Sequence, residues 1–508
     1  MLSPCAHAGK TAPAYRYWLG LFLSILFVKG GLLWADHAPM FYLGDSAAYL
    51  STARWDWVPT DRSFLYGWVI RYVALGRASL LPLLGAQALA SALAAMLVAV
   101  ILRWYFAVPR AVAALMAMLC ALEPLQLFYE RYVMTEVFSL LAFTGFVICA
   151  LAYLRRATIP RLALAQAMGV LVISLRMSFL PMVEVATLLL PLLALGVREM
   201  PPDVPENEPQ TGGLLSRRGT RTVIHVLVSL LLFVMLHSAY KRYHAGLIQT
   251  QLPGAPPAYL YDDGFHLLSF VAPIAKPVDF PHPESAEEIF RTDFDLRDPR
   301  LRIRQRWSNG GLIVNLRAAY PDHLEANQLA KITAWNAVRR DPLGEARLAF
   351  FALSDYFNRD HLRLAMLTDR GSDRELPEDL LTELHDDYHL DGRPLPQLVT
   401  LTNQYYFAVW PWFMALVLLP LGSFAVIWLV PRNQRPGAAL LWVFASLQIA
   451  VIAACSIEPN VRFLHAVAWL AMVTIGLGLT GVYNRFSVQV LRPAEGTDDI
   501  ARLNGMRM

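Results

Sequence analysis

The stretch VFSLLAFTGFVICALAY, residues 137–153, carries no charged side chain and is long enough to cross the hydrocarbon core of a bilayer as an α-helix. RYVMTE (131–136) comes directly before it, so that Glu136 stands at the start of the predicted helix. Similar apolar segments occur along the chain. We predict about ten spans, at 17–34, 80–102, 107–122, 133–153, 162–178, 179–197, 222–240, 405–431, 437–456 and 463–483. This pattern is typical of an all-α polytopic membrane protein.

Composition agrees with several membrane spans. Of the 508 residues, 56% are hydrophobic and 17% are charged, and the mean hydropathy is +0.40. A soluble domain carries roughly 25% charged residues. The formal charge of +4, without a run of basic residues, gives no indication of a nucleic-acid partner. The cysteines at 5, 120, 149 and 455 all lie outside the long polar stretch at about 241–404, so a disulfide framework is not predicted.

Basic residues in the short loops predict the orientation in the membrane. With the N-terminus inside, the cytoplasmic loops contain most of these residues, for instance Arg155, Arg156 and Arg161. We therefore predict a multi-pass protein of the plasma (inner) membrane with both termini cytoplasmic. The predicted parts are a transmembrane domain at 1–240 that includes a first outer loop at 35–79, a mainly helical extracytoplasmic region at 241–404, and transmembrane helices with a cytoplasmic tail at 405–508.

Two carboxylates stand where a polar loop meets a predicted span. Asp45 lies in the first outer loop at the membrane surface, where an ionisable group is a functional candidate. The alternative is that Asp45 caps a short helix by accepting from its first backbone amides. Glu136 is a candidate for the same reason, but it could also form a capping arrangement with Thr135 at the start of its helix.

Cationic residues accompany these carboxylates on the outer side, close to lipid-head depth. A guanidinium group can donate two parallel hydrogen bonds to a phosphate, so these residues predict a site for a phosphate carried on a lipid. The alternative is that each one pairs with a nearby carboxylate, as Glu458 could with Arg462, or extends to lipid phosphates without a function. The predicted phosphate- and substrate-binding residues are Tyr49, Arg62, Arg131, Arg176, Lys241, Arg242 and Arg462. The chain has no phosphate-binding loop of the G-x-x-x-x-G-K-[ST] type, which disfavours a nucleotide-driven pump.

Five short motifs are similar to those of a known family. They are GDSAAY (44–49), EPLQLFYERYVMTE (123–136), GVLVISLR (169–176), AWNAVRRDP (334–342) and EPNVRF (458–463). Together they resemble the GT-C superfamily of polytopic glycosyltransferases, near its protein O-mannosyltransferase and aminoarabinose-transferase branch. The chain departs from that pattern where Ser46 replaces the second acid of many relatives and where Phe463 replaces a tyrosine. Residues 243–330 match no part of the pattern.

The resemblance implies a GT-C-like bundle and a sugar transfer on the extracytoplasmic face. The donor would be a polyprenyl-phosphate sugar and the acceptor a lipid, a glycan or a protein. Asp45 would act as general base in an inverting reaction, since the departing phosphate needs no protonating acid. Some relatives use a divalent metal such as Mg or Mn and others do not, so Glu136 would bind a metal or orient the donor sugar. Two other classes stay open, a ligase or polymerase of lipid-linked polysaccharide and a transporter or flippase.

Overall fold

The computed structural model describes residues 14–42, 44–196, 213–370, 375–456 and 460–490. Regular structure in these ranges is helical, apart from an isolated parallel β-bridge between Met40 and Tyr132. The all-α class predicted from the apolar pattern is confirmed. Residues 201–212, Cys5 and Glu458 lie outside the described residues.

The helices of the first half alternate long apolar elements with short ones. They are α1 (Ala14–Ala35), α2 (Asp45–Trp55), α3 (Leu65–Val73), α4 (Leu81–Val100), α5 (Arg110–Ala121), α6 (Pro124–Tyr129), α7 (Glu136–Arg155), α8 (Ile159–Leu175), α9 (Leu180–Gly196) and α10 (Gly213–Ile248). The last of these is longer than the predicted span at 222–240, so Lys241 and Arg242 lie within the helix and not after it.

The middle of the chain forms shorter helices and the last part returns to long ones. The middle helices are α11 (Asp263–Val271), α12 (Pro283–Ile289), α13 (Arg302–Trp307), α14 (Leu312–Ala319), α15 (His323–Arg340), α16 (Pro342–Asp355), α17 (Arg359–Arg370), α18 (Glu378–Tyr388) and α19 (Leu401–Ala408). The final helices are α20 (Trp410–Val417), α21 (Leu419–Leu429), α22 (Arg435–Cys455) and α23 (His465–Val490).

Fewer helices qualify as membrane spans than the sequence predicted. Among the described residues, seven helices are long and apolar enough to cross a membrane, or eight if α20 and α21, which meet at a bend of 61°, form one broken span. The segments predicted at 107–122 and 162–178 fold as α5 and α8, of 12 and 17 residues. At 1.5 Å per residue these helices are about 18 and 26 Å long, shorter than the roughly 30 Å hydrocarbon core.

Small side chains allow the long helices to pack closely. α4 packs against α1, α5 and α7, and one face of it is a buried row of Ala88, Ala92, Ala95 and Ala99. Spacings of three and four residues place these alanines on one side of the helix. Small residues at such contacts let helix backbones approach each other, which is the usual means of helix packing in a bilayer.

The region 241–404 has a hydrophobic core of its own, built by α11, α12, α14 and α15. The i, i+3 pattern of Leu329, Ile332, Trp335 and Val338 predicted the α15 helix correctly. It did not predict the buried face, since Trp335 is 50% exposed while the small side chains Ala326, Ala330, Ala334 and Ala337 face the core. Alanine is favoured at this contact because α11 lies against α15 at close range.

The predicted orientation has a direct test in reporter fusions. A fusion at position 205 is expected to report the cytoplasmic side and one at position 300 the outer side, because the arginine-rich loops stay inside. Paired phosphatase and fluorescent-protein reporters at both positions would measure this. Reversed signals, or equal signals at the two positions, would contradict the orientation.

Candidate functional site

Backbone hydrogen bonds hold the loop before α2 against the loop before α7. The Met40 N–H donates to the carbonyl of Arg131 over 2.7 Å, and the Val133 N–H donates to the carbonyl of Met40 over 3.0 Å. Ser46 adds a side-chain link, since its hydroxyl donates to the Val133 carbonyl over 3.0 Å. It also accepts from the backbone N–H of Tyr42 over 2.9 Å. The start of α2 is thereby fixed beside the start of α7.

This link gives a physical reason for serine at position 46. The side chain is fully buried, so an acidic residue here would place a carboxylate against the Val133 carbonyl without solvent. We expect Ser46→Ala to lower the free energy of unfolding by about 1–3 kcal/mol, because a buried hydrogen-bonded hydroxyl is lost. Thermal melting in detergent measures this. The matched variant is Ser79→Ala, whose hydroxyl accepts over 3.3 Å from Leu81 at the surface, and equal melting of both variants would contradict the prediction.

Asp45 is the first residue of α2, and its carboxylate is held by two arginines. Arg62 Nη1 donates to Oδ1 and Arg462 Nη1 donates to Oδ2, each over 2.5 Å. Gly44 precedes it with φ at 82°, in the left-handed region that favours glycine. The start of α2 has no side-chain capping hydrogen bond. Asp45 therefore does not cap α2.

Glu136 takes the corresponding position at the start of α7. Its Oε1 accepts from Arg176 Nη1 over 3.0 Å and lies 3.2 Å from Arg462 Nε. Its Oε2 has no hydrogen-bond partner among the described residues. Thr135 makes no capping hydrogen bond with its side chain, so the capping alternative is absent here too. Arg462 thus bridges Asp45 and Glu136.

Asp61 extends this network on the other side of Asp45. Arg62 Nε and Nη2 donate to its two oxygens over 2.7 and 2.6 Å, the two-pronged geometry that guanidinium favours. Three carboxylates and three guanidinium groups meet here, so the charges balance when all are ionised. We call these six residues the charge cluster: Asp45, Asp61, Arg62, Glu136, Arg176 and Arg462.

The cluster sets the protonation of its outer members. Burial alone would raise the pKa of Asp45, but the charges of Arg62 and Arg462 outweigh it and hold that pKa below its ordinary value. The pKa of Asp61 is lowered against burial in the same way, mainly by its hydrogen bonds from Arg62. Both carboxylates are therefore anionic at neutral pH, and Asp45 is only a weak base while the two arginines hold it.

Local structure places the two arginines that come from distant parts of the chain. Arg176 ends α8 with an extended backbone, and Arg462 lies in the short turn before α23, where its N–H donates to Asn460 Oδ1 over 2.9 Å. The Tyr356 hydroxyl donates to the Asn460 carbonyl over 2.8 Å and so ties this turn to the region 241–404. The Phe463 ring lies 5.3 and 5.4 Å from the two guanidinium carbons, a cation–π contact that a tyrosine at this position would also supply.

The members of the charge cluster differ in their exposure to solvent. The side chains of Asp45, Asp61, Arg62 and Arg462 are 13–18% exposed, whereas that of Glu136 is 2% exposed. A substrate can therefore reach Asp45, Arg62 and Arg462 from solvent, and Glu136 with Arg176 lies behind them.

Not every predicted site residue joins this cluster. Tyr49 is buried one helical turn beyond Asp45 and packs edge-to-face on Tyr66, and burial and the charge of Asp45 raise its pKa. Arg131 is buried 3.9 Å from Glu130, which pairs with Lys29 of α1. Across the described ranges, no hydrogen bond or ion pair joins Arg131 to the charge cluster.

The two cations of α10 also lie apart from it. Lys241 places its ammonium 4.5 Å from the centre of the Tyr259 ring, and Arg242 is exposed. In the part of the chain that the structure describes, no ion pair links either of them to Asp45 or Glu136. Their phosphate-binding role stays a prediction from the sequence.

Two buried or partly buried polar residues at or beside the site were not among the predicted site residues. Asp61 is a full member of the cluster, although its only indication in the sequence is that it precedes Arg62. His465 is buried with its ring 5.3 Å from that of Tyr129, and its Nε2 has no partner among the described residues. Its position three residues after Arg462, at the first turn of α23, is the one feature that could have indicated it.

The residues present do not fit a resident metal ion. Over the described ranges, no group of three or more His, Cys, Asp or Glu side chains could hold one. The three carboxylates of the charge cluster each accept a hydrogen bond from an arginine instead. We therefore derive no step through a metal.

No protein-family model, curated protein or solved structure matches this chain. Four of the five motifs contribute to the charge cluster or its supporting contacts, through Asp45, Glu136, Arg176 and Arg462. Residues 334–342 lie elsewhere, at the junction of α15 and α16.

Proposed function

We propose that this multi-pass membrane protein is a glycosyltransferase of GT-C type that acts on the extracytoplasmic face. It moves a sugar from a polyprenyl-phosphate donor to a hydroxyl group of a lipid, glycan or protein acceptor. One observation carries the proposal: a carboxylate is held between two arginines in a partly open site at the ends of apolar helices. A base beside two phosphate-binding groups is the set of side chains that this reaction requires.

In the proposed reaction, Asp45 takes the proton of the acceptor hydroxyl. The freed oxygen attacks the anomeric carbon from the face opposite the phosphate, and the bond between that carbon and the phosphate oxygen breaks. The electron pair of that bond leaves with the phosphate, where Arg62 and Arg462 stabilise the added charge. A single displacement of this kind inverts the anomeric configuration.

Donor binding would also activate the base. Arg62 and Arg462 hold the pKa of Asp45 low in the free protein, and a phosphate that draws either guanidinium away would raise it. A stronger base then faces the acceptor only when the donor is bound. Arg62 can make this exchange because Asp61 keeps it in place, and Arg462 can do so because Glu136 lies 3.2 Å from its Nε.

Glu136 and Arg176 have a positioning role in this proposal. Glu136 is buried, and its Oε1 accepts from Arg176 and lies 3.2 Å from Arg462 Nε. Through these contacts Glu136 would hold the two guanidinium groups in place beside Asp45.

The test is an assay with the purified protein in lipid nanodiscs and a radiolabelled short-chain polyprenyl-phosphate sugar. Membrane extract supplies the acceptors, and release of unlabelled polyprenyl phosphate together with labelled product is expected. Transfer of whole glycan chains in place of single sugars would indicate a ligase or polymerase. Movement of intact labelled donor across vesicles without sugar transfer would overturn the proposal in favour of a flippase.

A further inference from the structure

A second group of polar side chains lies where the region 241–404 meets the first outer loop. Its centre is Arg306 of α13, which is 3% exposed. Arg306 Nη2 donates to His266 Nε2 of α11 over 3.2 Å. Its Nε and Nη1 are buried and have no hydrogen-bond partner among the described residues. A buried cation with two unpaired nitrogen donors is costly unless a ligand satisfies them.

The nearby carboxylates do not satisfy these donors. Asp61 and Asp262 are the acidic side chains whose charges act on Arg306. Both oxygens of Asp61 are bonded to Arg62, and Asp262 Oδ1 pairs with His323 over 2.7 Å. The acidic partners balance part of the charge of Arg306, but its hydrogen bonds remain available to another acceptor.

Protonation keeps this site cationic. Burial lowers the pKa of Arg306 to about 10 against the attraction of Asp262 and Asp61, so the guanidinium is charged at neutral pH. Burial and the charge of Arg306 lower the pKa of His266 to about 4, so that this ring is neutral. Since His266 Nε2 accepts from Arg306, its Nδ1 carries the proton and is a further donor.

The position of Arg306 connects it to the charge cluster. Its charge interacts with Asp61 and Arg62, and Arg62 in turn donates to Asp45. Asp61 and His266 are only partly buried. An anionic group bound at Arg306 would therefore lie near Asp61 and Arg62 of the charge cluster.

We propose that Arg306, with His266, binds a phosphoryl group of a substrate at the edge of the charge cluster. The identity of that substrate rests on the proposed function. The phosphoryl group can come from a phosphorylated acceptor or from the second phosphate of a diphosphate-linked donor. In both cases the site holds the substrate at the Asp61 and Arg62 side of the cluster and adds selectivity for an anionic group, because a neutral one would leave Nε and Nη1 of Arg306 without acceptors.

The experiment is a calorimetric titration with inorganic phosphate, in the presence of saturating short-chain polyprenyl monophosphate. Wild type is expected to bind phosphate saturably, and Arg306→Gln to bind it at least about tenfold more weakly. Arg306→Lys keeps the charge beside Asp61 and Asp262 and should recover part of the affinity. The control is Arg304→Gln, which removes the same charge from an exposed position of α13 and should bind like wild type.

Two further titrations identify the source of the phosphoryl group. If the donor supplies the phosphoryl group, Arg306→Gln will weaken the binding of polyprenyl diphosphate and leave the binding of polyprenyl monophosphate unchanged. If an acceptor supplies it, both lipids will bind Arg306→Gln as they bind wild type, and only inorganic phosphate will be affected.

Two results would overturn the proposal. They are the absence of saturable phosphate binding by wild type and equal phosphate affinity in wild type and Arg306→Gln. Equal affinity together with a lower melting temperature of the variant would show that Arg306 only balances the negative charges of Asp61 and Asp262. These readouts require no turnover, so a protein without transferase activity can still show phosphate binding at Arg306. The two proposals can therefore fail independently.

Discussion

Asp45→Asn is expected to abolish sugar transfer while the protein still folds and still binds the donor. Asparagine has no basic oxygen, and loss of a general base lowers the rate by about 10²–10⁴-fold. The fold should persist because Arg62 keeps Asp61 as a partner and Arg462 keeps Glu136. Donor binding should be equal or tighter, since a phosphate no longer competes with the carboxylate of Asp45 for either guanidinium. Initial rates with radiolabelled donor and a separate donor titration measure the two effects.

The matched control is Asp56→Asn, which removes a carboxylate from the other end of α2. Asp56 is 75% exposed and pairs with Arg71, apart from the charge cluster. Its variant should transfer sugar like wild type. Near-normal turnover by Asp45→Asn would remove Asp45 as the base. Loss of both turnover and donor binding would show instead that the carboxylate organises the arginines.

The sequence predicted the helical membrane class because apolar length is a local property. The span at 137–153 is found in α7, whose 20 residues satisfy the length that a bilayer requires. The count of about ten is not confirmed, because α5 and α8 have the composition of spans but are shorter than the seven helices that qualify. Likewise, the apolar side chains of α15 predicted a helix but not its buried face, since alanines gave the closest contact with α11.

The site was predictable only in part, because its contacts join distant parts of the chain. Asp45 and Arg462 are separated by 417 positions, and no local pattern predicts that they meet. The sequence instead offered the nearby Glu458 as a partner for Arg462. Their positive charge and their position near the membrane surface made Arg131, Lys241 and Arg176 candidates for phosphate binding. Of these three, only Arg176 donates to Glu136. Depth in the membrane can be inferred from position along a helix, whereas the direction of a side chain depends on packing.

Arg462→Ala is expected to weaken binding of a polyprenyl-phosphate analogue by about ten- to a hundredfold, which corresponds to roughly 1.5–3 kcal/mol for a lost charge-assisted contact. The side chain of Arg462 is 17% exposed, whereas that of Arg176 is 8% exposed and paired with Glu136. Arg176→Ala should therefore weaken donor binding less than Arg462→Ala. Arg462→Lys should recover only part of the affinity, because an ammonium keeps the charge without the two-pronged geometry.

Calorimetric titration of a short-chain polyprenyl phosphate against wild type and these variants gives the affinities. The matched control is Arg54→Ala, which removes a guanidinium from α2 that pairs with Asp387 over 2.9 Å and does not touch Asp45. If Arg462 served only as a structural ion-pair partner, Arg462→Ala would melt at a lower temperature while its folded fraction bound the donor like wild type. That outcome would rule out the phosphate-binding role of Arg462, because ion pairing alone would then explain the arginines of the charge cluster. A transport function would again be a competing explanation of the buried charges.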